Sequence, residues 1–250
     1  MPTILITGCS SGFGLETARH FLAEGWTVIA TMRTPRADLL PASDRLTILP
    51  LDVTDPDSIA AAVEAAGEID VLVNNAGIGW LNAVEGTPIH VVRDLFETNT
   101  IGTIAMIQAV LPQFRARRSG VIINVTSSVT LKSYDLLSVY TASKAAVNAL
   151  TEVMALELAA FGIRSHVVLP GQAPGTAFSA TARDRLAQAG GFPDPYADMI
   201  QGVFARLASG NDDEKTRSED VAEAIWRVAT DPATPMRVPA GADAVALFKG

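Results

Sequence analysis

The 250-residue chain has a single cysteine, Cys9. No internal disulfide is possible, which fits a reducing compartment. Aromatic residues make up 6% and charged residues 18%, against 48% hydrophobic. So little charge beside so much apolar material excludes an intrinsically disordered chain and provides for a sizeable core. Basic residues are in deficit: 19 Lys and Arg against 27 Asp and Glu give a net charge of −8. That balance argues against nucleic acid as a partner. No apolar run approaches the roughly 20 residues that cross a bilayer, so no membrane partner is expected. The opening "MPTILITGCSS" has no basic n-region and reaches a glycine early, unlike a signal peptide. The three histidines (His20, His90, His166) fall in separate elements without ligand spacing, so no metal site is expected. With no repeat, low-complexity tract or composition break, residues 1–250 read as one domain of a soluble, cytoplasmic protein.

What is present is an alternation. Thr3–Thr7, Thr27–Met32, Leu46–Val53, Ile69–Gly77, Gly120–Ser127 and Ile163–Gly171 are short, β-branched, almost wholly apolar runs that read as strands, and Met236–Pro239 reads as a last short one. Between them lie helical patterns at Leu15–Gly25, Asp57–Ala66 (opened by Asp55 and Pro56), Ile89–Arg117, Val139–Phe161 and Ser218–Thr230. Apolar strands separated by helices predict an α/β fold: a doubly wound, Rossmann-type parallel sheet of about seven strands with helices on both faces. The stretch 177–211 breaks the alternation. It mixes Phe178, Phe192, Tyr196 and Met199 with Gly190-Gly191, Pro193 and Pro195, and reads as a small, mobile helical lid over a substrate.

"TGCSSGFG" joins the first strand to the first helix and sets Gly8, Gly12 and Gly14 where a dinucleotide pyrophosphate would meet a helix N-terminus. Ser10, Ser11 and Phe13 share that loop. The second strand ends "TMRTPR", with Arg33 and Arg36 in place of the acid that accepts a ribose diol. A guanidinium suits a 2′-phosphate, which predicts NADP(H) over NAD(H); a solvated loop charge is the plainer reading of Arg33. Asp52, beside Val53 at the end of the third strand, fits an acceptor for an adenine amino group and fits a turn-forming Asp equally well.

Tyr140 and Lys144 stand four positions apart in "YTASK". On a helix they share a face, roughly 6 Å apart along the axis. A phenol is a poor base near neutral pH, and a neighbouring ammonium would lower its pKa toward a useful value. The pair follows the fifth strand, which ends in Ser127, and the fourth strand ends in Asn74-Asn75-Ala76-Gly77. These clusters converge on the carboxyl rim of the sheet, where doubly wound folds bind ligands.

Taken in order and spacing, these motifs resemble the short-chain dehydrogenases/reductases. The glycine loop, "NNAG", Asn99 in "ETNTIG", Ser127 thirteen residues before Tyr140, "YTASK" and Pro170-Gly171 carry the likeness. It spans nearly the whole chain, most securely Thr3–Thr176. "TGCSSGFG" with "ATMR" is most similar to NADP(H)-preferring members that act on secondary alcohols and ketones. The resemblance implies hydride transfer between a nicotinamide and a carbonyl carbon. In it Tyr140 is proton donor or acceptor, Ser127 holds the substrate oxygen, Lys144 binds the nicotinamide ribose, and Asn99 holds a water linking Lys144 to solvent. Asn99 as a group satisfying its own helix stays open. Asn75, Ala76 and Gly77 then line the cofactor groove together with the loop after Pro170-Gly171. Thr176 comes one residue late for its usual place there, so Ala173 or Gly175 are alternative contacts. Val129, Tyr134 and Phe178 are the candidate substrate neighbours. The expected substrate is a small, moderately hydrophobic ketone, aldehyde or alcohol. The resemblance also implies a homodimer or homotetramer built on the two long helices. A dinucleotide-binding redox sensor without turnover is the alternative, and lyase or dehalogenase chemistry on the same fold is a third reading.

Overall fold

The computed structural model describes residues 1–174, 176, 178–209 and 215–249, with 207–209 as backbone only. Gly175, Ala177 and positions 210–211 of the expected lid lie outside the described residues.

Seven strands form one parallel sheet: β1 (Thr3–Ile6), β2 (Thr27–Met32), β3 (Leu46–Pro50), β4 (Val71–Asn74), β5 (Gly120–Val125), β6 (Ile163–Pro170) and β7 (Arg237–Ala240), in spatial order β3-β2-β1-β4-β5-β6-β7. Every pairing is parallel, and the register runs from Ile4 opposite Val28 and Val71 to Pro170 opposite Ala240. Alternate side chains serve opposite layers, as the two-residue period of a strand requires. Ile4 and Ile6 pack with Val73 and Ile123 against α1 (Gly12–Ala23) and α8 (Ser218–Thr230). Leu5, Leu72 and Ile122 face α4 (Gly102–Arg117) and α5 (Ser138–Ala159) through Met106, Val110, Phe114 and Met154. Both faces are therefore covered, which is why apolar residues dominate the strands.

The chain reverses direction across the sheet between β1 and β4, which opens a crevice at their carboxyl ends. α1 starts in that crevice. α2 (Pro56–Ala66) is capped as expected, with the Asp55 carboxylate accepting from the Asp57 N–H at 2.9 Å and Pro56 as the first helical residue. Strands 3, 4 and 5 are shorter than the apolar runs suggest, because their last residues leave the ladder to form the rim.

Two regions differ from the sequence reading. The expected single helix Ile89–Arg117 is α3 (Ile89–Phe96), a π-helical segment (Glu97–Ile101) and α4. Buried residues recur in fours at Val91, Leu95, Asn99 and Thr103. A four-residue step turns about 40° too far on a regular α-helix, and the wider π turn takes up the surplus. The stretch after β6 is helical as expected, with α6 (Phe178–Gln188) and α7 (Ala197–Ser209) joined through a 3₁₀ turn at Asp194–Tyr196. A final helix, α9 (Ala242–Lys249), follows β7 and was not anticipated. No helix among the described residues is long and apolar enough to cross a membrane.

Candidate active site

The glycine loop turns from β1 into α1 with Gly8 and Gly12 at positive φ (76° and 55°). A Cβ on Gly14 would lie 2.4 Å from the Gly8 carbonyl oxygen, so only glycine lets the helix start this close to the loop. Asn75 fixes the loop from the next strand: its Nδ2 donates to the carbonyls of Thr7 (2.9 Å) and Gly8 (3.2 Å). The Thr7 hydroxyl accepts from the backbone N–H of both Asn75 (3.0 Å) and Ala76 (2.9 Å). Ser10 and Ser11 are exposed, while Phe13 packs against the core. Ser11 precedes α1 without a side-chain cap, and the first turn of α1 has no acidic residue. Its N–H groups thus face outward with no competing anion, a cradle that fits a pyrophosphate. Cys9 is buried in this loop; burial pushes its thiol up to about 12, so it packs as a small inert group.

At the far end of β2, Arg36 pairs with Asp38 at 2.6 Å and is already committed. Arg33 is exposed and forms no hydrogen bond or salt bridge among the described residues, so a 2′-phosphate fits beside it. Asp52 accepts from the Thr54 N–H (3.0 Å) and hydroxyl (2.7 Å), an Asx turn that fulfils the turn reading. Those bonds, backbone first, hold its carboxyl below the ordinary range, against some desolvation and with a minor pull from Arg33. Val53 is buried, and its carbonyl lies against Gly102.

Tyr140 and Lys144 share the inward face of α5 and are both buried. The Lys144 ammonium donates to the Val125 carbonyl at 3.1 Å. A Cβ on Gly77 would stand 3.2 Å from Lys144 Nζ and 3.1 Å from Asn99 Oδ1, so the fourth strand's turn abuts the lysine. Asn99 sits in the π segment. Its Oδ1 accepts from the Ile78 N–H (2.8 Å), and its Nδ2 donates to the Ile78 carbonyl (3.0 Å) and to Ser143 Oγ (3.1 Å). Ser143 in turn donates to the Tyr140 carbonyl at 2.7 Å. Asn99 therefore ties the β4 turn to the catalytic-type helix as well as sitting beside the lysine.

Ser127 Oγ accepts from the Val129 N–H at 3.3 Å, which leaves its own proton for an oxygen in front of it. The sequence expectation of a lowered phenol pKa rests on Lys144 together with a positively charged nicotinamide; the protein groups by themselves respond to burial. Burial pushes Tyr140 up to about 12, with a hydrogen bond from Ser127 pulling it partly back. Burial also lowers Lys144 to about 8. Desolvation disfavours the charged form of both groups here. In this geometry Tyr140 is held as a neutral phenol.

The wall around Tyr140 is apolar. Trp80, Val91, Leu95 and Val139 pack with it, and Ile78, Val129, Leu137 and Leu186 lie at the margin. The Phe178 ring covers the phenol edge-on, with centroids 5.7 Å apart, and lies against Gly79, where a Cβ would be 2.5 Å from Phe178 Cε1. Tyr134 is exposed and lies apart from this cluster; burial first, and then the charge of Asp243, raises its pKa. Pro170 ends β6. Beyond it Thr176 folds back so that its hydroxyl donates to the Ala173 carbonyl (3.0 Å), and its side chain meets the Cβ position of Gly12 at 3.3 Å. The loop after β6 thus lies across the glycine loop. A cavity of about 530 Å³ between α1, α8 and β7 is lined by His20, Glu223 and Arg227 and not by Ser127, Tyr140 or Lys144.

Sequence reasoning missed Trp80, Ser143 and Asp243. Trp80 comes three residues after the "NNAG" turn, and a large apolar residue at that place was the available signal. Ser143 lies inside "YTASK" and shows its partner only in three dimensions. Asp243, in "GADAV" near the end of the chain, has its partners around Gly171 and Thr216.

Comparison with known proteins agrees with this geometry. The sequence profile of short chain dehydrogenase matches residues 2–187. The chain is 33% identical over 259 residues to retinol dehydrogenase 8 of Bos taurus, covering 94% of this chain and 80% of that protein. Its fold is similar to that of a short-chain dehydrogenase from Streptomyces avermitilis, with a TM-score of 0.83 and 34% identity, covering all of this chain (100%) and 91% of that one. It is also similar to the closed form of serine dehydrogenase complexed with NADP+, with a TM-score of 0.80 and 28% identity over 96% of this chain and 94% of that one. On the span of the profile, the identity and the shared sheet, this chain belongs to the short chain dehydrogenase family of oxidoreductases.

Proposed function

We propose that the protein is an NADP(H)-dependent reductase of a small, moderately hydrophobic ketone or aldehyde, or the corresponding alcohol dehydrogenase in reverse. One observation carries the reading. A buried Tyr140 phenol stands beside Ser127 and one helical turn from a buried Lys144, at the sheet rim that also carries the glycine loop. A redox sensor without turnover has no need of such a buried acid.

The nicotinamide, when bound, supplies or accepts the hydride. The chain's own residues do the rest. Gly8–Gly14 and the α1 N-terminus hold the pyrophosphate, and Arg33 holds the 2′-phosphate. Solved structures of this fold hold NADP+ or NADH, so the preference rests on Arg33 and on the lack of an acid at the end of β2. Ser127 donates to the substrate oxygen and stabilises the charge that develops there. Tyr140 gives its proton to that oxygen in reduction and takes it back in oxidation. Lys144 holds the ribose and places a positive charge beside the phenol when a phenolate forms. Asn99 keeps the Gly77–Ile78 turn against Lys144. Phe178, Trp80 and Val129 exclude water and receive the apolar body of the substrate, and α6 and α7 act as its lid. Residues 1–250 form one catalytic domain, and two or four copies pair through α4 and α5.

The test is loss of NADPH absorbance against a panel of ketones and aldehydes, with Tyr140→Phe as control. We expect turnover with apolar carbonyl compounds in the wild type. In Tyr140→Phe we expect at least a roughly thousandfold loss with NADPH still bound. No turnover with any carbonyl compound, or full activity of the variant, overturns the reading.

A further inference from the structure

The loop that leaves β6 toward the glycine loop has almost no structure of its own, yet three backbone groups near its start are held by hydrogen bonds with distant residues. Gly171 N–H donates to Thr216 Oγ1 at 2.9 Å. Gln172 N–H donates to Asp243 Oδ2 at 2.7 Å, and the Gln172 carbonyl accepts from the Thr216 N–H at 3.0 Å. Thr216 Oγ1 lies 2.6 Å from Asp243 Oδ1 and 2.9 Å from the Ala240 carbonyl. A hydroxyl has one proton, and the carboxylate is the stronger acceptor at the shorter distance. Asp243 also accepts from the Ala244 N–H at 2.8 Å and forms no salt bridge among the described residues. Its charge is balanced by hydrogen-bond donors alone, two of them the groups that fix this loop.

Two glycines make room for the arrangement. A Cβ on Gly171 would lie 2.1 Å from Asp243 Oδ1, and one on Gly241 would lie 2.0 Å from Thr216 Oγ1. Gly171 therefore leaves space for the carboxylate. Thr216 follows the segment that contains α6 and α7, and Gly171–Ala173 precede it. The two stems of that segment are thus joined at one point, by residues 71 and 45 positions from the loop they hold.

We propose that Asp243, acting with Thr216, is a positioning residue for the loop Pro170–Thr176. The clasp fixes the backbone that lies across the glycine loop, and it gives both stems of the lid a common anchor. This rests on the reading of the crevice as an NADPH site, so binding and turnover are measured separately.

NADPH affinity, read by fluorescence of the bound dinucleotide, is compared for wild type, Asp243→Asn, Thr216→Val and Thr216→Ser, with the thermal midpoint of each. Asp243→Asn keeps the volume and removes the charge. Thr216→Val removes the hydroxyl, and Thr216→Ser restores it. We expect roughly tenfold weaker NADPH binding in the first two, near-wild-type binding in Thr216→Ser, and midpoints close to the wild type. KM for NADPH should rise while KM for the carbonyl compound stays unchanged. Wild-type affinity in both Asp243→Asn and Thr216→Val overturns the proposal. So does an activity loss that only follows the folded fraction, with KM for NADPH unchanged. A wild type that binds NADPH without turning over defeats the functional reading alone; one that binds no dinucleotide defeats both.

Discussion

The Phe178 ring stands edge-on to the Tyr140 phenol, at an interplanar angle of 60° and a centroid separation of 5.7 Å. The first helix after β6 thereby closes over the one buried acid at the sheet rim. Removing that ring in Phe178→Ala should raise KM for a bulky apolar carbonyl compound roughly three- to tenfold, the scale of one aromatic contact. KM for NADPH should not move. Initial rates over a series of ketones of increasing size test this; equal KM changes for the smallest and largest ketone would rule out a substrate wall.

Between neutral pH and pH 10, Lys144 is the member of the pair that titrates. Burial brings it to about 8 and takes Tyr140 to about 12. kcat/KM for reduction should be flat below about 8 and fall above it, because the ammonium is lost while the phenol stays protonated. NADPH binding to Tyr140→Phe should show the same limb, since the limb belongs to the lysine. The effect on folding has the opposite sense. Between about 8 and the ordinary 10.5, the unfolded lysine binds more protons than the folded one, so stability should rise with pH across that window. A limb that vanishes in Tyr140→Phe would assign it to the phenol instead.

Arg33 is the cation beside the crevice with no committed partner, whereas Arg36 is paired with Asp38. Arg33→Ala should raise KM for NADPH roughly ten- to hundredfold and leave KM for NADH unchanged. Arg36→Ala should do neither. Equal use of NADH and NADPH by the wild type, with no effect of Arg33→Ala, would refute the preference.

On the outer face of α5, Val153 is 58% and Leu156 79% exposed, three positions apart on one stripe. Such side chains are covered when two copies meet across the long helices. Leu156→Glu should lower the mass seen by analytical ultracentrifugation to that of one chain, without loss of secondary structure. A wild type that sediments as a single chain would remove the basis for this.

The sheet was legible because its strands carry their burial in their composition: Ile4, Leu72 and Ile122 are apolar whichever layer they face. α8 was legible at both ends, and α2 through Asp55 and Pro56. The expectation that Gly8, Ser127, Tyr140 and Lys144 share the carboxyl rim came from where each motif ends its strand or opens its helix. The arrangement of α6 and α7 was not legible, because what orders it lies far off in the chain. Tyr196 donates to Glu85 at 2.9 Å, and Arg206 pairs with Asp135 at 2.6 Å. The burial of the phenol was not legible for a related reason. Four-residue spacing shows that a lysine is near, whereas the depth of burial is set by Trp80 and Phe178, which arrive from other elements.

The π segment at Glu97–Ile101 also limits how this stretch of chain can change length. Removing one residue there would restore a regular helix and swing Val91 and Leu95 by about 100° away from Trp80 and Tyr140. The peptide would still be fully helical, yet the wall beside the phenol would be lost. A single-codon deletion is therefore far more damaging here than in an exposed turn that aligns no wall of the site.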